Sequence, residues 1–374
     1  RILHRDRGIA PDRDGRVADS GGPGFFKGGI MKGRMIILDH IGEIEAAALL
    51  VDGKLDDLLV DHPDAPRPGA IFRGICDRPI KGQGGMMLRL PDGETAFLRH
   101  GKGLRPGQPL LVQVTGFAEG KKAVPVTDRI LFKSRYAIVT PGKPGINVSR
   151  QITDDDKRDA LLGIAHEVFT ADHGLILRSA CETGSADEIA ADIAEMAALA
   201  DAVLGDAQGA APEALIAGDG PHALAWRDWT RPAQVMTEDG SFAALGVLDQ
   251  IALLSDPRVA LDGGDIYVEP TRALVAVDVN TGNDTSPAAA LKANLAAARA
   301  LPRALRLRGL AGQISVDFVS MSKAHRKQVE QSLRAAFKAD PIETSLVGWT
   351  PMGLFELQRK RERAPLPKAL IRSL

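Results

Sequence analysis

The sequence predicts an α/β multidomain chain that carries a small five-stranded β-barrel, and three observations predict it. Its 374 residues are too many for one ordinary domain and fit about two to three. Five short apolar pieces, each closed by turn residues, crowd into residues 70–127. Beyond residue 260 the chain alternates strand-like and helix-like stretches, the pattern of a sheet with packed helices.

Residues 1–30 mix Arg1, Arg5, Arg7, Arg13 and Arg16 with Asp6, Asp12 and Asp14 before running into glycines, and lack the apolar stretch of a signal peptide. They are expected to be a disordered or spurious extension, with Met31 opening the regular sequence. MIIL and AAALLVDGKLDDLLV then read as strands, joined at Asp52-Gly53 by a hairpin turn. The Pro-rich stretch HPDAPRPG (62–69) breaks the chain. AIFRGIC, GMMLRL, TAFLRH, PLLVQV and AVPVT follow, separated by turns such as Pro91-Asp92-Gly93 and Pro106-Gly107. Five short strands in so little chain fit an OB-fold barrel, a fold with many ligands.

Residues 133–150 read as a strand and a loop, and residues 153–156 start a helix carrying Leu161, Leu162, Ile164 and Val168. GLILRS (174–179) reads as a buried strand, 185–205 as an Ala-rich helix with acidic residues at its start, and 206–221 as a linker. DIYVE and ALVAVDV are strands. A helix from about 287 to 308 opens at Thr285-Ser286-Pro287 and is expected to kink at Pro302. QISVDFV then reads as a strand, KAHRKQVEQSLRAAF as a helix, TSLVGWT as a strand and LFELQRKRER as a helix.

Composition narrows the function. Lys+Arg 47 against Asp+Glu 48 gives a net charge of -1, so polyanion binding has to come from local clusters of charge. Cys76 and Cys181, far apart and outside any CxxC pattern, exclude a disulfide scaffold and read as reduced, buried side chains. No apolar run is long enough to span a membrane. GxSxG, GxxxxGK[ST] and HExxH are all absent.

Two acids stand out by position. Alternation along ALVAVDVNTGN sets Asp278 and Asn280 on one face and Val275, Val277 and Val279 on the other, and along QISVDFV it sets Asp317 opposite Val316 and Phe318. If the strands are neighbours, the carboxylates can share a hard cation such as Mg²⁺, with Asn280 orienting one of them. The alternative is that each aspartate caps the turn that follows it. Lys292, Arg299, Arg303 and Arg306 fall at helical spacing as a cationic stripe, joined by Lys323, Arg326 and Lys327 and by Arg359, Lys360, Arg361 and Arg363. Such a stripe either grips a phosphate backbone or is a solvated helix face. Phe72 and Phe97 in the barrel either stack on bases or fill a core.

GGDIYVEPTRALVAVDVNTGN, KANLAAARALPRALRLRGLAGQISVDFVSM and GLFELQRKR together resemble the catalytic core of the bacterial ribonuclease E/G family, and weaker likeness extends the resemblance over about residues 31–365. It implies an RNase H-like subdomain (31–66 and 211–260), an inserted OB-fold RNA-binding domain (67–132), a 5′-sensor region (133–210), a DNase I-like catalytic domain (261–365) and a tail (366–374). The activity implied is Mg²⁺-dependent endonucleolytic cleavage of single-stranded, A/U-rich RNA to 5′-phosphate and 3′-hydroxyl ends, in the cytoplasm, on rRNA precursors and mRNA. Mn²⁺ is an alternative ion.

By the same resemblance Asp278 and Asp317 are the metal ligands and Asn280 their orienting partner, Phe97 and Lys122 of the OB fold contact RNA, and Ile138, Arg150, Arg178 and Ser179 sense the 5′ phosphate. From the cationic stripe, Lys292, Arg299 and Arg303 are expected to contact RNA as well. Ser179 replaces the more usual threonine and keeps its hydroxyl. Leu88 stands where the family has a second stacking Phe, and Gly116 and Glu119 replace basic residues, so the OB fold is expected to grip RNA weakly. The zinc-link motif is absent, which leaves a homodimer open but without that bridge. Two competing readings are a non-catalytic RNA-binding protein on the same fold and a metal-dependent DNA nuclease, the latter disfavoured by the resemblance to an RNA 5′-end pocket.

Overall fold

A two-residue turn organises the first sheet. The computed structural model describes residues 32–80, 82, 84–120, 122–170, 172–367 and 370–371, so the expectations for residues 1–30 and for Met31 lie outside the described residues. Strand β1 (Arg34–Ile41) pairs antiparallel with β2 (Ile44–Val51), and β2 with β3 (Lys54–Val60). Asp52 and Gly53 between β2 and β3 take φ values of 49° and 76°, as the predicted tight hairpin requires.

The chain then enters a compact unit, Pro63–Pro232. Here β4 (Ile71–Ile80), β5 (Gly85–Arg89), β6 (Thr95–Leu98), β7 (Pro109–Val114) and β8 (Val124–Thr127) pair in the order β4-β5-β6-β8-β7 and close through β4–β7. Only β6–β8 is parallel, and the order is that of an OB-fold. The ten-residue β4 serves both neighbours because a bulge between Cys76 and Arg78 bends it. Cys76, Met86, Leu88, Ala96, Leu98, Val112 and Val126 fill the barrel.

In the same unit β9 (Phe132–Lys133), β10 (Ala137–Thr140), β11 (Gly145–Val148) and β12 (Gly174–Leu177) form a sheet in the order β11-β12-β10-β9, covered by α1 (Asp155–Val168) and α2 (Ala186–Gly205). Gly174 has to be glycine, since a Cβ there would overlap the Lys143 carbonyl and the Thr140 hydroxyl. Asp154 caps α1 by accepting from Lys157 N at 2.9 Å, and Ser185 and Glu188 form a capping box on α2. Both cysteines are free and buried, and burial pushes the Cys181 thiol up to about 11. The expected linker contains a strand, β13 (Glu213–Ile216), which pairs with β4 of the barrel. Residues 213–216 therefore join the barrel sheet rather than that of β1–β3. Helix α3 (Pro221–Asp228) follows.

The second unit comprises Gly33–His62 and Ala233–Leu374. Strand β14 (Gln234–Met236) adds to β1, and α4 (Ser241–Ala244) and α5 (Val247–Ala252) follow. Next come β15 (Arg258–Leu261), β16 (Gly264–Pro270), β17 (Val275–Thr281), α6 (Pro287–Leu307), β18 (Gly312–Asp317), α7 (Lys323–Ala339), β19 (Thr344–Trp349) and β20 (Phe355–Arg359). The sheet order is β15-β16-β17-β18-β20-β19. Helix α6 is the crossover of a parallel β17–α6–β18 unit, and it runs on through Pro302 to Leu307.

LFELQRKRER is not the expected helix. Phe355, Leu357 and Arg359 are buried while Glu356 and Gln358 are exposed, a period of two that pairs β20 with both β18 and β19. Arg359 is only 1% exposed. It pairs with Asp340 at 2.8 Å and donates to the Thr344 hydroxyl at 2.8 Å. Asp340 also holds Arg306, which lies 3.2 Å from Asp57 and donates to the Asp56 carbonyl at 2.7 Å, and Arg363 reaches Asp57 at 3.4 Å. This buried network ties α6, β3 and β20 together. No described helix is long and apolar enough to cross a membrane.

Candidate functional site

The parallel register of β17 on β18 makes Asp278 and Asp317 direct partners across two adjacent strands. Strand spacing then puts their Cα atoms about 5 Å apart, with both side chains on one face. The opposite face carries Val275, Val277, Val279, Ile314 and Val316, all buried against Ala297, Ala298, Leu301 and Leu305 of α6 and Val329 and Leu333 of α7. Burying that face leaves the carboxylates open to water, and both aspartates are exposed. Asn280 donates its side-chain amide to Asp278 Oδ2 at 2.8 Å, as alternation predicts.

Two neighbouring groups escaped the sequence reading. Tyr267 of β16 is the register partner of Asp278, and Asp265 that of Asn280, with Asp265 held by Arg258 at 2.9 Å. The signal was present in DIYVE, where Ile266 and Val268 are buried and Asp265 and Tyr267 face the other way. Asn294, fully buried in α6, donates to the Val319 carbonyl at 2.8 Å and accepts from Val319 N at 3.0 Å. It thereby fixes the segment that leaves β18 two residues after Asp317.

The cationic stripe is not beside the carboxylates. Helix α6 covers the valine face, so Lys292 and Arg299 point away from a layer behind the sheet. Lys292 pairs with exposed Asp262 at 2.8 Å. Arg303 turns its guanidinium onto the Leu55 carbonyl at 2.8 Å, and Arg306 belongs to the buried network. Helical spacing groups these cations correctly but does not reveal that Lys292, Arg303 and Arg306 have partners within the protein. Arg326, at the start of α7, lies over the Trp349 ring at 4.8 Å.

On the barrel, Phe97 is half-buried on the outer surface, opposite Met87 of β5 and Pro125 of β8. Its ring lies over Gly85, where a Cβ would strike it. Leu88 is fully buried in the barrel core and offers no stacking surface; the residue opposite Phe97 on the surface is Met87. Phe72 packs against that core. Lys122 is exposed and pairs with Glu119 at 2.7 Å.

The four expected sensor residues gather at one end of the β11-β12-β10-β9 sheet. Arg178 and Ser179 leave β12 and Arg150 leaves β11 at the same end, because Val148 and Leu177 are parallel partners. Ile138 pairs with Ile176 on the other side of β12. Arg178 donates to the carbonyls of Ser134 and Arg227 and pairs with Asp228 at 2.8 Å. Burial opposes the charge on Asp228, yet Arg227, then Lys133 and Arg178, outweigh it and hold the carboxyl well below the usual carboxylate range. Trp226, half-exposed, carries the Arg135 guanidinium 4.1 Å over its ring. None of Trp226, Arg227 and Asp228 stood out in the sequence, since a short helix in a Gly/Pro-rich stretch carries no motif.

Among the described residues, one group of three potential metal ligands lies elsewhere: Asp39, His40 and Asp239, with ligand atoms within 4.8 Å of one another. Asp39 there is buried and accepts the amides of His40 at 2.8 Å, Gly240 at 3.3 Å and Phe242 at 2.8 Å. Its carboxylate anchors the turn into α4.

With this geometry in view, the model of the Ribonuclease E/G family matches residues 132–235 and 228–362. The chain is 29% identical over 311 residues to ribonuclease G of Salmonella typhimurium (strain SL1344), which covers 71% of this chain and 62% of that protein. Ribonuclease G of Escherichia coli (strain K12) gives the same identity and coverage, 29% and 62% of its length. Ribonuclease E of a Nostoc species is 31% identical over 300 residues, 69% of this chain and 44% of that protein. The match thus spans about three fifths of the ribonuclease G relatives.

Proposed function

The chain belongs to the ribonuclease E/G family, and from the register-paired Asp278 and Asp317 we propose that it is a divalent-metal-dependent endoribonuclease. Its substrate is single-stranded, A/U-rich RNA, cut in the cytoplasm to 5′-phosphate and 3′-hydroxyl ends during rRNA maturation and mRNA decay. In this reading β15–β20 with α6 and α7 are the DNase I-like catalytic subdomain, and the sheet β14-β1-β2-β3 is the RNase H-like one.

The donor set fits the cation. Two carboxylates on one solvent-facing strand pair offer hard oxygen ligands and leave room for water and a phosphate oxygen, which suits Mg²⁺ and its reluctance to lose its hydration shell. When bound, such an ion supplies positive charge to the scissile phosphate and lowers the pKa of a water. Asn280 keeps Asp278 in one rotamer through its 2.8 Å hydrogen bond. Asn294 holds the backbone after Asp317 from the helix side, so both carboxylates are placed before RNA arrives. Tyr267 borders Asp278 on the open face, where a ribose or phosphate would lie.

On the barrel, Phe97 with Met87 offers one stacking surface, and the Glu119 partner of Lys122 reduces the attraction for phosphate. RNA grip by this domain is accordingly modest, and the end pocket around Arg178 supplies the rest.

The test is cleavage of a 5′-monophosphorylated A/U-rich RNA oligomer in Mg²⁺. Internal cuts by the wild type should vanish with EDTA and fall by at least about a hundredfold in Asp317→Asn and Asp278→Asn. A wild type that binds several such RNAs and cuts none would make the chain an RNA-binding protein on the same fold.

A further inference from the structure

Three cations of the Pro63–Pro232 unit converge on one carboxylate. Asp228 Oδ1 lies 2.8 Å from Arg178 and 3.1 Å from Lys133, and Oδ2 lies 2.7 Å from Arg227. Arg227 reaches Asp219 as well, at 2.7 Å. Lys133, Arg178 and Arg227 thus face Asp219 and Asp228, three positive charges against two negative. Asp228 is not the only partner of either arginine. Arg178 also donates to the carbonyls of Ser134 and Arg227, and Arg227 keeps Asp219. The Asp228 side chain is 33% exposed, so water and solutes reach the place it fills.

An anion held by two arginines and a lysine is the arrangement in which a phosphate binds. Here the protein fills that place with its own singly charged group. An internal phosphodiester carries one negative charge, so exchanging it for Asp228 gains little. A terminal monophosphate carries about 1.5 to 2 at neutral pH, so for it the exchange is favourable. A repulsive element of this kind discriminates by rejecting the weaker competitor.

We propose that Asp228 is a built-in competitor for the RNA 5′ end: its carboxylate stands in for phosphate on Arg178 and Lys133, so that a terminal monophosphate displaces it and an internal phosphodiester does not. The proposal rests on the reading of Arg178 as part of the 5′-end pocket.

The experiment is a binding titration of the full chain, in EDTA and at fixed ionic strength. It uses two labelled single-stranded RNA oligomers of one sequence, 5′-monophosphorylated and 5′-hydroxyl. Wild type, Asp228→Asn, Asp228→Ser and Arg178→Ala are compared by fluorescence anisotropy. Wild type should prefer the monophosphorylated oligomer and Arg178→Ala should not. Removing the Asp228 charge should tighten binding of the monophosphorylated oligomer about tenfold. Asp228→Ser removes the same charge with a smaller side chain and should shift binding in the same direction, which covers the case of Asp228→Asn folding poorly. Equal or weaker binding by these variants, with the wild-type preference intact, overturns the proposal and makes Asp228 a clamp for Arg178. No wild-type preference, or one that survives Arg178→Ala, removes the sensor reading and the proposal with it.

Discussion

Two clusters of arginine and aspartate, one in each unit, use the same groups and differ in access to water. Around Asp340 the side chains are almost dry: Arg359 0%, Asp340 1%, Asp57 5% and Arg306 8% exposed. Around Asp228 they are wetter, with Arg178 at 17%, Arg227 at 18%, Asp228 at 33% and Lys133 at 39%. In the dry cluster Arg306, Arg359 and Asp340 have given up their hydration and depend on one another, so no ligand can trade places with Asp340 without leaving a charge uncompensated. In the open cluster solvent reaches Asp228 and Lys133 directly, so replacing the carboxylate by another anion would not strand a dry charge. Neither residue type nor hydrogen-bond length separates the two clusters; exposure does.

The contrast can be broken at its dry end first. Asp340→Ala strands Arg306 and Arg359 together and should cost about 3–5 kcal/mol of unfolding free energy by chemical denaturation. A loss under about 1 kcal/mol would mean that water enters the cluster and the distinction fails. At the wet end, Asp228→Asn should cost only about 1 kcal/mol, since solvent screens the lost charge.

Its pH course sharpens the point. A carboxyl held below its unfolded value stabilises the fold above that value and loses the contribution as pH falls toward the folded one. The gap in stability between wild type and Asp228→Asn should therefore be flat from about pH 5 to 8 and narrow only below about pH 4. A gap that already changes near neutrality would point to a different group. The smallest effect belongs to a fully wet pair: Lys292→Ala removes the bridge to Asp262, with side chains 57% and 83% exposed, and should move stability by no more than about 0.5 kcal/mol.

What could be read in advance was local. The Asp52-Gly53 hairpin, the five barrel strands and the facing of Asp278, Asn280 and Asp317 follow from turn chemistry and a period of two, both contained in a few consecutive residues. The misreadings all turned on distant partners. Arg303 and Arg306 look like a binding stripe until Leu55, Asp57 and Asp340 come to meet them. LFELQRKRER looks helical by its charge, yet β18 and β19 flank it and draw it into a sheet. Leu88 sits in a run of apolar residues, GMMLRL, in which only the closed barrel decides which face is inward. Asp228 had no sequence signal, because its importance lies in Lys133 and Arg178, far back along the chain.

The parallel pairing of Asp278 with Asp317 also makes the site sensitive to the parity of chain length between the two strands. Deleting one residue from the turn between α6 and β18, with β18 slipping by one against β17, would carry Asp317 to the valine face and bring an apolar neighbour forward in its place. Deleting two would return a residue of the correct facing to the partner position, though no longer the aspartate. Only a change that leaves the register untouched, absorbed in the loop before α6 or in the helix itself, is compatible with the carboxylate pair. Length variation among proteins that keep this pair is therefore expected in the loops around α6 and not within β17 or β18.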